Sequence, residues 1–292
     1  MVLPFADRNV RTPLAVSDRI NRSGNTMYNY KLKFTIKPEA DGLEDEAVVE
    51  MLDSYWNALR NNGQVIDGFD IFADNSHFYL TVVLPEEDSL ADSNCNVYAR
   101  ERFQKLNELF EVELIRDGIN LETPYSCTCE KPSGFCLVGD VSNNTSPLIC
   151  NDCSQPVPLY KVPYVLDDPD EHISILRWQL AYQKMDGLWI HGSWDRFTYG
   201  ELSKHNSKLN REGREICKAL EKVLGAPVYY ELFCIDAKED DEFSVIPRGF
   251  PKGLPKACPK CGEAWKDEGK FFRCEKCRLQ AFNFEFYWKS KG

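Results

Sequence analysis

Four cysteines near the end of the chain are spaced for a single metal ion. Cys258-Pro-Lys-Cys261 is followed, after twelve residues, by Cys274-Glu-Lys-Cys277. A C-x-x-C knuckle is a short turn that aims two sulfurs at one point. Two such knuckles complete a tetrahedron of thiolates, which suits Zn²⁺ because it is borderline-soft and has no other geometric demand. Gly262, directly after the second cysteine, fits the sharp exit of the chain from the knuckle. With thiols at all four positions no site stays open for water, so the pattern marks a structural zinc and not a catalytic one.

A second set lies mid-chain. Cys127-Thr-Cys129 and Cys150-Asn-Asp-Cys153 are separated by twenty residues, within the range of four-cysteine zinc sites. The first half is C-x-C, a less regular spacing, and Cys136 is a spare thiol that could replace one of its members. The alternatives are a buried cluster of free cysteines or a thiol switch. Neither pair opens an obvious helix, where a lowered thiol pKa is expected, and this weighs against redox chemistry. Cys217 and Cys234 stand alone and read as small buried hydrophobes. Eight of twelve cysteines fall in close pairs within a 292-residue chain, far larger than a disulfide scaffold. A reducing cytoplasm that keeps thiolates free for metal is the simpler account.

Charge is divided unevenly around these sites. The net charge is −11, but residues 248–292 hold eleven Lys or Arg against five Asp or Glu (+6), and residues 1–247 hold 24 against 41 (−17). A basic ribbon attracts phosphate and an acidic body repels it. Lys256, Lys260, Lys270, Arg273, Lys276 and Arg278 surround the knuckles, interleaved with Phe271, Phe272, Phe282, Phe284, Phe286, Tyr287 and Trp288. Cations that track phosphate beside aromatic faces that stack on bases make a nucleic-acid surface. Two plainer accounts stand beside it. The aromatics serve as the minimal core of a small ribbon, and the basic tail docks on its own acidic body.

Catalytic constellations are scarce. His77, His172, His191 and His205 are not at zinc-ligand spacing with one another and read as structural. His191-Gly-Ser193-Trp-Asp195 holds the residue types of a hydrolytic triad, but triad members converge from distant segments and no nucleophile elbow is present. The chain contains neither a P-loop nor a G-x-G-x-x-G turn. The expectation is a protein that is not an enzyme. No run of about 18 apolar residues suggests a membrane span.

The elements that must position the cysteines follow from periodicity. Alternation predicts strands at 28–36, 65–72, 77–84 and 111–115, and spacings of three and four predict helices at 41–62 and 96–110. Strand, helix, strand, strand, helix, strand is the split βαβ order of a ferredoxin-like α+β domain. Helix 173–185, a short buried strand or turn at 187–192, a mainly helical stretch 197–224 and a strand at 228–235 follow. Gly225 and Pro227 stop the long helical stretch. The expected organisation is a polar leader 1–26, a ferredoxin-like domain 27–122, a Cys-rich zinc-binding segment 123–165, a helical α+β portion 166–246 and a C-terminal zinc ribbon 247–292. An acidic linker, 236–242, joins the last two.

Tyr125-Ser-Cys-Thr-Cys-Glu130, Leu148-Ile-Cys-Asn-Asp-Cys153, Val157-Pro-Leu-Tyr-Lys-Val-Pro163, the run from Leu202 to Cys217, Pro227-Val-Tyr-Tyr230 and the four-cysteine ribbon together resemble an uncharacterised bacterial family of zinc-ribbon-containing proteins. The resemblance covers most of the chain from about Met27 onward. It implies a cytoplasmic bacterial protein for which nucleic-acid binding has been suggested, with no catalytic residues to carry over. The leading expectation is a non-enzymatic zinc protein that binds nucleic acid through its ribbon. The alternative is an immunity or inhibitor protein whose acidic body neutralises a basic toxin or nuclease.

Overall fold

The structure, a computed structural model, describes residues 25–40, 42–74, 77–119, 125–142, 144–166, 169–235, 247, 250 and 253–283. Most of the expected leader 1–26, the linker 236–242 and the aromatics Phe284, Phe286, Tyr287 and Trp288 lie outside the described residues. The chain is mixed α+β, and no described helix is long and apolar enough to cross a membrane.

Two cores are present among the described residues. The first is built by β2 (Tyr28–Ile36), α1 (Asp45–Asn62), β3 (Asp67–Asp74), β4 (His77–Leu84), α2 (Val97–Leu109) and β5 (Phe110–Ile119). Their sheet runs β3-β4-β2-β5 with every neighbour antiparallel, so β4 lies between β2 and β3. Tyr30, Leu32 and Phe34 alternate onto one face and sit opposite Val82, Leu80 and Phe78. Val48, Leu52, Tyr55 and Leu59 of α1 and Ala99 and Leu106 of α2 bury against that face. α1 ends at Gly63, whose left-handed backbone (φ +80°) returns its N–H to the carbonyls of Arg60 and Leu59. α2 starts at Asn96, whose side chain accepts from the Ala99 amide at 2.8 Å.

The second core is covered by α3 (Ile173–Ile190), α4 (Asp195–Ser203) and α5 (Lys208–Leu224). Its strands are β7 (Phe135–Leu137), β8 (Leu148–Cys150), β9 (Val228–Glu231), β10 (Lys266–Asp267), β11 (Phe271–Cys274) and β12 (Leu279–Phe282). They form one six-stranded sheet in the order β10-β11-β12-β9-β7-β8. β9 pairs in parallel with β12 on one edge and with β7 on the other, while the outer pairs are antiparallel. The ribbon hairpin is thus continuous with the sheet of the Cys-rich segment, and Cys258 and Cys274 bury in the same core as Trp178, Tyr182 and Tyr230. A two-stranded ladder of β1 (Asn25–Thr26) with β6 (Tyr125–Ser126) precedes Cys127.

Three local expectations change. Residues 187–190 continue α3 instead of forming a strand, because burial at Ile175, Trp178, Tyr182, Asp186 and Trp189 keeps a helical period to the end. The 197–224 stretch breaks into α4 and α5, since Ser207 caps a new helix by accepting from the Asn210 amide at 3.1 Å. The strand expected at 228–235 ends at Glu231, although the Leu232 amide still donates to the Gln280 carbonyl at 2.8 Å.

The two cores meet at the C-terminal end of α1. The His172 amide donates to the Asn61 carbonyl (2.7 Å), and the Tyr164 hydroxyl donates to Asn62 Oδ1 (2.7 Å). A Cβ at Gly63 would fall 2.4 Å from that of Leu159, so glycine is required there for space as well as for φ.

Close approach also governs α5. A Cβ at Gly213 would lie 2.2 Å from the Tyr230 ring and 2.7 Å from Trp178 Nε1. Gly213→Ala would favour an isolated helix. Here it is expected to destabilise the fold by about 1–3 kcal/mol through overpacking, read as a lower melting temperature with unchanged helix content in the native state.

Candidate metal centres

Among the described residues, two groups of cysteines bring their sulfurs together. Sγ atoms of Cys127, Cys129, Cys150 and Cys153 all lie within 4.8 Å of one another, and so do those of Cys258, Cys261, Cys274 and Cys277. Four thiolates about 2.3 Å from a tetrahedral zinc stand roughly 3.8 Å apart. The Cys261–Cys274 separation is 3.6 Å, close to that spacing and far from the ~2.05 Å of a disulfide. No disulfide joins any of the twelve cysteines. Both groups therefore fit zinc in number, ligand type and sulfur spacing, and both could hold it.

Backbone turns aim the sulfurs. In each C-x-x-C knuckle the residue after the second cysteine is left-handed: Ser154 (φ 58°), Gly262 (φ 75°) and Arg278 (φ 52°). The Ser154 amide donates to the Cys150 carbonyl (2.9 Å) and the Gly262 amide to the Cys258 carbonyl (2.8 Å). The expected role of Gly262 thus extends to two residues whose side chains make the same turn more costly. The C-x-C half uses another device. Cys127 leaves β6 with its amide on the Pro156 carbonyl (2.8 Å), and the Cys129 amide donates to Cys127 Sγ at 3.4 Å.

Cys136 does not join the first group. It lies inside β7, opposite Tyr229 and Ile149, and burial raises its thiol pKa. Cys217 is buried with its pKa raised in the same way.

Crowding also shapes ionisation. Cys150 accepts hydrogen bonds from the Cys127 and Cys153 thiols, which pulls its pKa far below the ordinary thiol value, while the contact with Cys150 pushes Cys127 up. In the ribbon the Glu263 amide lowers Cys261, and burial raises Cys274 and Cys277. Anions so close do not ionise together without a cation among them.

The cations expected to meet nucleic acid divide into two sets. Arg273 lies across the Tyr229 ring (4.6 Å), bonds Gln280 Oε1 (2.8 Å) and Glu268 (2.7 Å), and its side chain is 15% exposed. Arg278 bridges Glu221 of α5 (3.0 Å) and Glu275 (2.7 Å), and Lys276 pairs with Glu263 (2.6 Å). The Tyr229 hydroxyl donates to Glu275 (2.6 Å). Docking of the tail on its own body, one of the two readings of the charge split, is thus built through Arg278–Glu221 and the β12–β9 ladder. Lys256 and Lys260 are exposed, and Lys270 is half-buried with its carbonyl accepting from the Asn283 amide (3.0 Å). α5 adds Arg214, Lys218 and Lys222 beside the ribbon. Their spacing of four within a helical stretch was the available sequence signal.

His191, Ser193 and Asp195 share no hydrogen bond among the described residues. His191 Nδ1 lies 2.7 Å from the Gly187 carbonyl at the end of α3, and Asp195 begins α4.

Fold and centres together define a mixed α+β protein with two tetracysteine groups on one sheet. Residues 27–115 match a family model described as a domain of unknown function, DUF8589, and residues 129–233 match another, DUF2310. The chain is similar to two uncharacterized proteins of Haemophilus influenzae. One is 26% identical over 276 residues, covering 87% of this chain and 97% of the relative. The other is 26% identical over 210 residues, covering 69% and 93%. No solved structure matches significantly.

Protein purified without added metal is expected to contain two zinc per chain by elemental analysis, as each complete group of four thiols fills one tetrahedron. Cys129→Ser or Cys274→Ser should each remove one zinc, and Cys136→Ser should remove none. Acidification should release the metal, because protons compete for the thiolate ligands as pH falls. Gly262→Val should lower ribbon metal retention more than Gly262→Asn, since a β-branched residue tolerates φ > 0 poorly and asparagine tolerates it well.

Proposed function

We propose that this protein is a non-enzymatic zinc protein whose two tetrathiolate centres are structural, and whose ribbon contacts nucleic acid. The observation that carries the reading is the company of exposed cations that the ribbon keeps after its internal pairing is complete. Lys256 and Lys260 are exposed beside the first knuckle, and Lys222 is exposed on the adjoining helix, where Lys218 is held only by an exposed pair with Glu215. Arg273 and Arg278, by contrast, are spent on the fold. The phosphate-tracking set is therefore narrower than composition suggests, and it includes helix α5.

Several coarser readings gain support. The placement of β4 between β2 and β3 supports a ferredoxin-like reading of residues 27–122. The shared six-stranded sheet supports treating the described residues between 125 and 283 as one folding unit with the ribbon as its edge. Twelve cysteines with no disulfide among them support a reducing, cytoplasmic setting, and the bacterial relatives support a bacterial source.

Fluorescence anisotropy with RNA, single-stranded DNA and duplex DNA across a salt series tests the reading. Affinity should fall steeply with salt, with a log–log slope of about −0.7 per phosphate contact on single strands. Lys256→Glu should weaken all sequences alike. Absence of salt-sensitive binding to any of the three would sink the proposal.

A second reading is favoured by the first sheet. On the face away from the helices, Phe72 and Tyr79 stack (4.9 Å) in register with Lys33 and Glu113, and Asp70, Glu111 and Glu113 are exposed. An acidic, aromatic face of this kind suits a basic protein partner, as in the immunity reading. A complex with a basic protein that Glu111→Lys plus Glu113→Lys disrupts, and Lys256→Glu leaves intact, would support it over nucleic acid.

A further inference from the structure

A cleft of about 320 Å³ separates α5 from the ribbon, and its walls are cationic on both sides. Arg214, Lys218 and Lys222 recur every fourth residue, which places them in one row along α5. Lys260 from the first knuckle and Lys276 and Arg278 from the second form the opposite wall. Glu221 is the one carboxylate among the lining residues, and Arg278 holds it at 3.0 Å in a half-buried pair. The side chains of Lys222 and Lys260 make no ion pair or hydrogen bond among the described residues. Lys218 and Lys276 pair with Glu215 (2.7 Å) and Glu263 (2.6 Å) through exposed contacts, which are weak and exchange readily with a better anion. In a chain of net charge −11, cations gathered from two elements separated by some forty residues mark a place where negative charge is received.

We propose that this cleft binds the phosphate groups of a phosphorylated ligand, and that it exists only while the ribbon holds its metal. Lys276 lies within the Cys274–Cys277 turn and Arg278 directly follows it, so the fold of that knuckle sets where one wall stands. The arrangement deepens the nucleic-acid reading, because a phosphodiester backbone is one such ligand. It does not fall with that reading, since a free polyphosphate presents the same groups. The competing role for these cations is internal. Four thiolates around one zinc carry a formal charge of −2, and nearby cations screen it.

The test uses the full zinc-loaded chain with inorganic tripolyphosphate as probe in isothermal titration, followed by a single-stranded oligonucleotide. Zinc content and circular dichroism are recorded for every variant. Tripolyphosphate should bind the native protein, and Lys222→Glu with Lys260→Glu should weaken it about tenfold or more with zinc content unchanged. Both residues are exposed, so the double variant should fold, and Lys222→Met with Lys260→Met should give a smaller loss. Lys105→Glu, exposed on α2 of the other core, should change nothing. Removing zinc from the ribbon alone through Cys277→Ser should abolish binding.

No tripolyphosphate binding, or binding unaltered in the double variant, overturns the proposal. Loss of zinc in the double variant with phosphate affinity intact also overturns it, and assigns the cations to screening. Tripolyphosphate binding that depends on the two lysines, without oligonucleotide binding, keeps the cleft and removes the nucleic-acid reading. Oligonucleotide binding that ignores both lysines does the reverse.

Discussion

The second half of the molecule hangs on β9, a four-residue strand paired in parallel on both edges. Its Tyr230 amide donates to the Arg278 carbonyl and its Leu232-flanking end to Gln280, both at 2.8 Å, while its other edge holds β7. Parallel neighbours cannot be joined by a tight turn, so each must be brought in by a long connection. Helices α3 to α5 supply one connection and the first ribbon knuckle lies in the other. Strands of three or four residues hold poorly by themselves. The thiol groups sit where they compensate, one tying the β6 exit to the end of β8 and the other tying the 258–261 turn to the turn between β11 and β12. Metal affinity at such sites is folding free energy, on the order of 10–16 kcal/mol for structural zinc in small peptides. That is large against the stability of an ordinary domain.

Electrostatics follows from the same geometry. Once β12 lies against β9, the ribbon faces helix α5, and Arg278 reaches Glu221 while its own backbone makes the knuckle turn. Arg273 flattens on Tyr229, so its charge is held by stacking as well as by Glu268. A count of Lys and Arg along the tail treats these residues as equivalent. Their surroundings separate cations that close the fold from cations that remain addressed to solvent.

Legibility in the sequence tracked how local each determinant is. The strands from Tyr28 to Ile36 and, up to Val82, from His77 to Leu84 alternate because one face is buried and the other is not, and the period is visible within each strand. The cysteine spacing displayed both thiol groups, and the choice among Cys127, Cys129 and Cys136 needed the strand pairing that turns Cys136 into the interior of β7. Gly187 and Gly192 suggested a break, yet Trp189 still completes the buried stripe of α3. The parallel ladder of β12 on β9 left no local trace, because Leu279 and Tyr230 are joined only in space. Nor does composition reveal that Glu221, far away in sequence, takes the charge of Arg278.

The order of strands has a consequence in time. A chain made from its N-terminus has emitted every strand of β3-β4-β2-β5 by Ile119, so the first core can close before the second sheet begins. In the second sheet one edge of β9 stays open after β7 is available to pair with the other. Its second partner, β12, begins at Leu279, roughly fifty residues after β9 starts, which at ~5–20 residues per second leaves it waiting about 2–10 s. Throughout that interval Val228, Tyr229 and Tyr230 present one bare strand edge of an otherwise apolar core, the kind of edge that recruits copies of itself. Synthesis rate and zinc supply during those seconds, more than the equilibrium strength of the finished fold, would then set how much of the nascent protein matures instead of aggregating.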